Sequence, residues 1–348
     1  MQPVYSFENI LHPVWDTDTV WFESVMLVQE DGNVSAPLLY EPTRILTVQS
    51  ADLTVTYAPG RDYEYRDGRI WLTEDSRIFR FRREELYPAE PIPGHSFPME
   101  GGNVLFYEGH YFHDRQIAVT YRCEKGGWPG AVPGFVGEHL PRTMELLRQK
   151  KPLKLVLYGD SISEGANASG FTGTSPFLPT WGQLTAEKLR RHYDCPVTFE
   201  NPSKGGMDAV WGAENVLERV CSREPDLVML HFGCNDGIAG EEFRRRIRNI
   251  LEPIHRNNPN AEVMLIACIV PNPLLRLPAA RFYNQQYRQQ DDLASFVGEG
   301  TAMVSMYAVQ QTLLRRKRFI DLTGNNVNHP NDFMVRLYAQ TLNAALIP

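Results

Sequence analysis

Between residues 20 and 122 the chain runs in short β-prone stretches, 20–28, 45–48, 53–57, 69–72 and 116–122, broken by Asp31-Gly32, Pro59-Gly60 and Asp67-Gly68. Strands this short, with turn residues at such intervals, predict an all-β sandwich. Asp67-Gly68 can take the positive φ angles of a type I′ turn, so residues 63–72 read as a hairpin. A Gly/Pro-rich stretch from Gly126 to Gly137 then ends the alternation, and a helix is expected from Pro141. After Lys151 the period changes. Continuous apolar runs at 153–158, 197–200, 226–232, 262–270 and, more weakly, 302–305 alternate with amphipathic stretches at 181–192, 208–220, 241–257, 279–296, 307–317 and 332–346. Buried strands alternating with helices predict a parallel sheet covered on both faces, with a site at the carboxyl ends of its strands. The expected architecture is therefore a jelly-roll-like β-sandwich over residues 1–137, a linker helix over 138–152, and a three-layer doubly wound α/β domain over 153–348.

Composition narrows the function. The 348 residues suffice for two domains, and 43% hydrophobic with 22% charged residues are ordinary globular values. A net charge of −7 supplies no basic footprint, so neither nucleic acid nor a membrane surface is expected as a partner. Residues 1–150 carry 22 acidic and 14 basic side chains, which argues against a polyanionic ligand on the β-rich part. That part is expected to wall the site or to support homo-oligomer assembly through strand edges. No Lys or Arg precedes Arg44, and the apolar run 263–270 is stopped by Pro271, so the sequence reads as lacking an export signal or membrane span and as cytoplasmic. Five scattered cysteines make neither a disulfide framework nor a zinc site, and His110, His113 and Asp114 lack a second ligand pair. No metal or other cofactor is expected.

Three predicted strand ends carry unusual polar loops. In Tyr158-Gly-Asp-Ser-Ile-Ser-Glu-Gly165, Gly159 permits a tight exit and Ser161 sits where a turn or helix opens, a place suited to a nucleophile because free backbone N–H groups favour a nearby anion. The competing reading makes Ser161 an N-cap, with Glu164 completing a capping box. In Asn201-Pro-Ser-Lys-Gly-Gly-Met-Asp208 the paired glycines let a backbone N–H approach a ligand, or simply make a turn. In His231-Phe-Gly-Cys-Asn-Asp-Gly237 the Asn235 amide could donate to an oxyanion, or Asn235 and Asp236 could bond their own backbone. Asn328-His329-Pro330 follows late in the chain, just before the last helix.

Gly159-Asp160-Ser161, Gly206, Gly233-x-Asn235-Asp236 and His329-Pro330 together resemble the four blocks of the SGNH (GDSL) hydrolases, over roughly residue 153 to the end. The resemblance implies Ser161 as nucleophile, His329 as general base, and an oxyanion hole from the Ser161 and Gly206 N–H groups and the Asn235 amide. Asp160 would order its loop and Asp236 would brace the third block. One position departs: many members carry Asp three residues before the His, and here that position is Asn326. An amide there is uncharged and favours the wrong imidazole tautomer. Three explanations stand open: a backbone carbonyl orients His329 in a Ser–His dyad, Asp332 or Asp321 substitutes, or the Asn is a replacement that slows the enzyme.

A β-sandwich ahead of an SGNH domain further resembles two-domain carbohydrate acetyl esterases, which implies an acetyl xylan esterase-like activity on an acetylated oligosaccharide. Aromatics in 167–181, chiefly Phe177 and Trp181, together with Trp211, are the candidate sugar-binding residues, the alternative being that they plug an interface. A broad small-molecule esterase or thioesterase, and a silent glycan-binding protein, remain the competing functions.

Overall fold

A computed structural model of the chain describes residues 5–276 and 285–348. Its centre is one five-stranded parallel sheet of Leu153–Gly159, Val197–Glu200, Leu227–His231, Glu262–Ala267 and Thr301–Ser305, in the spatial order second, first, third, fourth, fifth. Side chains alternate across a strand, and both faces are apolar. Leu155 and Leu157 enter one hydrophobic cluster with Trp181, Leu184 and Leu337, whereas Val156 and Tyr158 enter another with Val216, Phe243 and Ile247. Helices Trp181–Tyr193 and Asp332–Leu346 therefore cover one face, and Ala209–Arg219 and Glu241–Asn257 the other. This is the expected three-layer doubly wound domain. Its strand order reverses at the first strand, where such sheets place their sites.

The N-terminal portion is all-β apart from short helical turns. Thr19–Met26, Gln116–Cys123 and Pro42–Ser50 make an antiparallel sheet with Gln116–Cys123 in the middle. A mixed sheet runs in the order Tyr63–Arg66, Arg69–Leu72, Asn33–Pro37, Val28–Glu30, Phe81–Arg82, and Ser96–Met99 pairs with Gly102–Leu105 as a separate hairpin. Asp67 and Gly68 have φ of 52° and 70°, and Arg66 lies opposite Arg69, so the predicted two-residue hairpin turn forms.

Residues 53–57, expected as a strand, do not form one. Ser50 Oγ, Thr54 N–H and Thr54 Oγ all donate to the Asp52 carboxylate. These local bonds close a turn, with Leu53 at φ 61°, and leave Thr56 a single bridge to Gln49. The helix expected over 307–317 ends at Leu313, releasing Lys317 into the interior. Of the helix expected over 279–296, Gln286–Ala294 is helical, and 279–284 lie outside the described residues.

The two portions share one core. Ile10, Leu11, Val25 and Tyr121 belong to the same cluster as Leu337, Tyr338 and Leu342 of the last helix. Buried polar contacts tie them further. Arg336 donates to Trp21 O at 2.8 Å and Phe22 O at 2.6 Å, and Gln340 bonds Ile10 O and Val14 N–H. Lys317 Nζ meets Glu23 Oε1 at 2.5 Å with both side chains wholly buried. Among the described residues no helix is long and apolar enough to cross a membrane.

Candidate active site

The first parallel strand ends against the third so closely that a Cβ on Gly159 would lie 2.2 Å from His231 O and 2.3 Å from Ser163 Oγ; only glycine fits. Asp160 caps the turn, its Oδ1 accepting from Ile162 N–H at 3.0 Å, and Ser161 opens a four-residue helix that Gly165 closes at φ 97°. The first N–H groups of any helix lack an intrahelical acceptor. With one turn there is little summed dipole, so whatever the Ser161 N–H offers a ligand it offers as a single donor. Because Asp160 is the cap, the alternative reading of Ser161 as N-cap does not hold.

His329 Nε2 lies 2.8 Å from Ser161 Oγ. Its loop is held by short-range bonds. Asn325 Oδ1 accepts from the backbone N–H of Val327, Asn328 and His329 at 2.9, 2.9 and 3.0 Å, and His329 O accepts from Gly324 N–H and Thr323 Oγ. On the far side of the ring, Nδ1 faces Asn167 Oδ1 at 2.6 Å and Glu108 Oε2 at 3.1 Å. Asn167 Nδ2 donates to Gly109 O and Gly324 O, which fixes Oδ1 toward the ring. Nδ1 must therefore carry the hydrogen, leaving Nε2 free to accept from Ser161. The half-exposed Glu108 carboxyl is pushed up by partial burial, but the hydrogen bonds it accepts from His329 and from the Asn325 and Asn167 amides hold it below the usual carboxylate value.

Loops after the second and third strands complete the rim. A Cβ on Gly205 would stand 2.9 Å from Glu164 Oε2 and 3.6 Å from Ser161 Cβ, so this loop abuts the serine, and Gly206 takes φ 77°. Asn235 Nδ2 donates to Met207 O at 3.0 Å, which orients the amide and leaves its second N–H for a ligand. Asp236 accepts from Ala209 N–H and pairs with Arg246, tying the third loop to the following helix, and burial pushes its carboxyl up to about 6.

Several expectations require correction. Asn326 is buried beside the site but does not touch His329: Nδ2 donates to Leu105 O at 3.0 Å, and Oδ1 accepts from Asn272. Asp332 is turned to Ser169 N–H, and Asp321 to Met26 N–H and Arg318. The ring is held by side chains, not by either Asp or a backbone carbonyl. Trp181 is fully buried, stacked on Tyr338 and bonded to Ile162 O, so it belongs to the core and offers no face to a sugar. Trp211 is half-buried against Tyr158 with Arg219 over its ring. Phe177, by contrast, is 55% exposed and lines, with Phe171, Glu164, Gln183 and Asn201, an open cavity of about 550 Å³ that starts one helical turn from Ser161. Glu108 and Asn167 were missed. Nothing local marks either one; they lie 221 and 162 residues from His329 and meet it only in the fold.

Asp160, His231 and Cys268, all buried, bring three potential ligand atoms within 4.8 Å of one another. Burial holds His231 neutral, its imidazole pulled down to about 3, and raises the Cys268 thiol. The His231 nitrogens already engage Ser163 Oγ on one side and Cys268 and Tyr338 on the other, so the cluster fits a polar network better than a cation.

Comparison with solved structures finds partial likenesses. A two-domain esterase active on acetylated mannans, co-crystallised with mannopentaose, superposes with a TM-score of 0.48 at 20% identity, covering 60% of this chain and 53% of that one, so the match spans about half of that protein. A catalytic mutant of an acetylxylan esterase from Geobacillus stearothermophilus gives 0.45 at 15% identity, covering 56% and 94%. The acetyl xylan esterase AlAXEase gives 0.41 at 18%, covering 56% and 100%. Among curated proteins no relative matches. The model of the GDSL-like lipase/acylhydrolase family matches residues 157–336, which span all four loops and just over half of the sequence. The chain belongs to the GDSL-like lipase/acylhydrolase family.

Proposed function

We propose that the protein is a serine esterase that removes acetyl or other short acyl groups from acetylated carbohydrates such as xylo-oligosaccharides. The observation that carries this reading is the 2.8 Å contact between Ser161 Oγ and His329 Nε2, backed on Nδ1 by acceptors that select the basic tautomer. His329 takes the Ser161 proton as Oγ attacks the ester carbonyl. The Ser161 and Gly206 N–H groups and the Asn235 amide stabilise the tetrahedral oxyanion, each such donor contributing about 3 kcal/mol to lowering the barrier. The imidazolium then protonates the sugar oxygen as its bond to the acyl carbon breaks, releasing a free hydroxyl and leaving an acyl-serine that a water activated by the same histidine hydrolyses.

A glycan substrate is favoured by the cavity beside Glu164. Exposed rings at Phe171 and Phe177 offer flat apolar faces, and Glu164, Gln183 and Asn201 offer hydrogen-bonding groups for hydroxyls. Acetate release from acetylated xylo-oligosaccharides, measured beside p-nitrophenyl acetate for the parent chain and Ser161→Ala, tests the reading. Release by the parent and none by Ser161→Ala is the expected result. Turnover of the p-nitrophenyl ester alone would keep the esterase and discard the glycan, and failure of a fluorophosphonate to label Ser161 would favour a silent glycan-binding protein.

A further inference from the structure

Glu108 follows the Gly102–Leu105 strand, in the N-terminal β portion, whereas Ser161 and His329 both belong to the parallel-sheet domain. Its Oε2 stands 3.1 Å from His329 Nδ1, and Asn325 Nδ2 faces its Oε1 at 3.4 Å. Nδ1 has a single hydrogen and two acceptors. The shorter contact is to Asn167, whose amide is buried and pinned by two backbone carbonyls. A neutral amide oxygen can fix the tautomer and tilt of the ring, but it cannot offset the positive charge that His329 acquires as it takes the serine proton. A carboxylate at 3.1 Å can.

We propose that Glu108 is a positioning residue for ester hydrolysis: it supplies, from the N-terminal β portion, the negative charge that stabilises the His329 imidazolium, while Asn167 fixes the ring. This rests on the esterase reading above. The functions that one aspartate combines in a triad are here divided between two residues, and the site is complete only when both portions of the chain are in place. Among the described residues Glu108 is the one carboxylate in contact with the ring; Asp332 is committed to Ser169 N–H, and Asp160 to Ile162 N–H.

Three readouts on the full chain test the proposal: the pH profile of kcat/KM for p-nitrophenyl acetate, the rate of fluorophosphonate labelling at Ser161, and the melting temperature, each for the parent, Glu108→Gln and Glu108→Asp. Glu108→Gln takes away the one carboxylate in contact with the ring, so it should lower kcat and the labelling rate about 10- to 100-fold. KM should change little. The acid limb of the profile should move to lower pH, because an imidazolium without its counter-charge gives up its proton more readily. Glu108→Asp should recover most of the rate, and all three proteins should melt alike. A Glu108→Gln protein with parental rate and profile overturns the proposal and leaves the esterase reading intact. So does a loss that comes with a lowered melting temperature, no movement of the acid limb and no recovery in Glu108→Asp, which marks a structural role. A parent that neither turns over ester nor labels at Ser161 overturns the esterase reading, and this proposal with it.

Discussion

At position 326 the backbone takes φ 63°, a left-handed conformation that Asn tolerates better than most residues, and it turns the amide onto Leu105 O and away from His329. A carboxylate there would face that carbonyl without a proton to donate. Asn326→Asp should therefore leave turnover no higher than the parent's and cost about 1–3 kcal/mol of stability, read from denaturant melts beside kcat. Asp160 makes a second case. Burial pushes its carboxyl up to about 7, and Oδ2 has no partner. A folded value above the unfolded one means that the folded state holds the proton more tightly, so the stability this group contributes is present at low pH and is lost as pH rises from about 4 through about 7. Asp160→Asn keeps an acceptor for Ile162 N–H and cannot ionise. Each tenfold difference in proton affinity between the folded and unfolded chains is worth about 1.4 kcal/mol. The stability of Asp160→Asn relative to the parent should therefore improve by a few kcal/mol across that window, as melts at pH 4 and pH 7.5 would show.

Among the elements, the His329 loop owes its shape to one side chain. Asn325→Ala would leave three buried N–H groups without their acceptor, a cost of about 3 kcal/mol or more, and kcat should fall with it because His329 loses its fixed height above Ser161. What could be read in advance follows from where information lies in a chain. Helices 241–257 and 332–346 were legible to the residue because their amphipathic or apolar patterns run unbroken to a capping residue, Gly240 and Asn331 respectively. The strand expected at 53–57 failed because a single Asp52 diverts the local backbone bonds. The serine, the glycine pair, Asn235 and His329 each sit in a loop with its own local signature. Trp181 carried the same aromatic signature as Phe177, yet one is core and the other exposed, a distinction that only packing makes. Glu108 is one of 42 acidic residues, and its partner is chosen by tertiary structure alone.

For the molecule as a whole, the buried charges decide how the portions hold together. Glu23 accepts from Leu39 N–H, Tyr121 OH and Lys317, while Arg336, pulled down to about 10 by burial yet still cationic at neutral pH, reaches across to Trp21 O and Phe22 O. Removing one member of a buried pair leaves the other uncompensated. Lys317→Met should cost about 3–5 kcal/mol, and calorimetry should show the N-terminal sheets and the parallel sheet melting in one transition because they share a core. The pairing of Glu108 with His329 also bears on folding kinetics. Closing contacts between residues 221 apart is entropically slow, whereas helices and neighbouring strands form early. During refolding, helical circular dichroism should return ahead of ester turnover, and catalysis would act as a late clock that reaches its full rate only when the first portion of the chain has found the last.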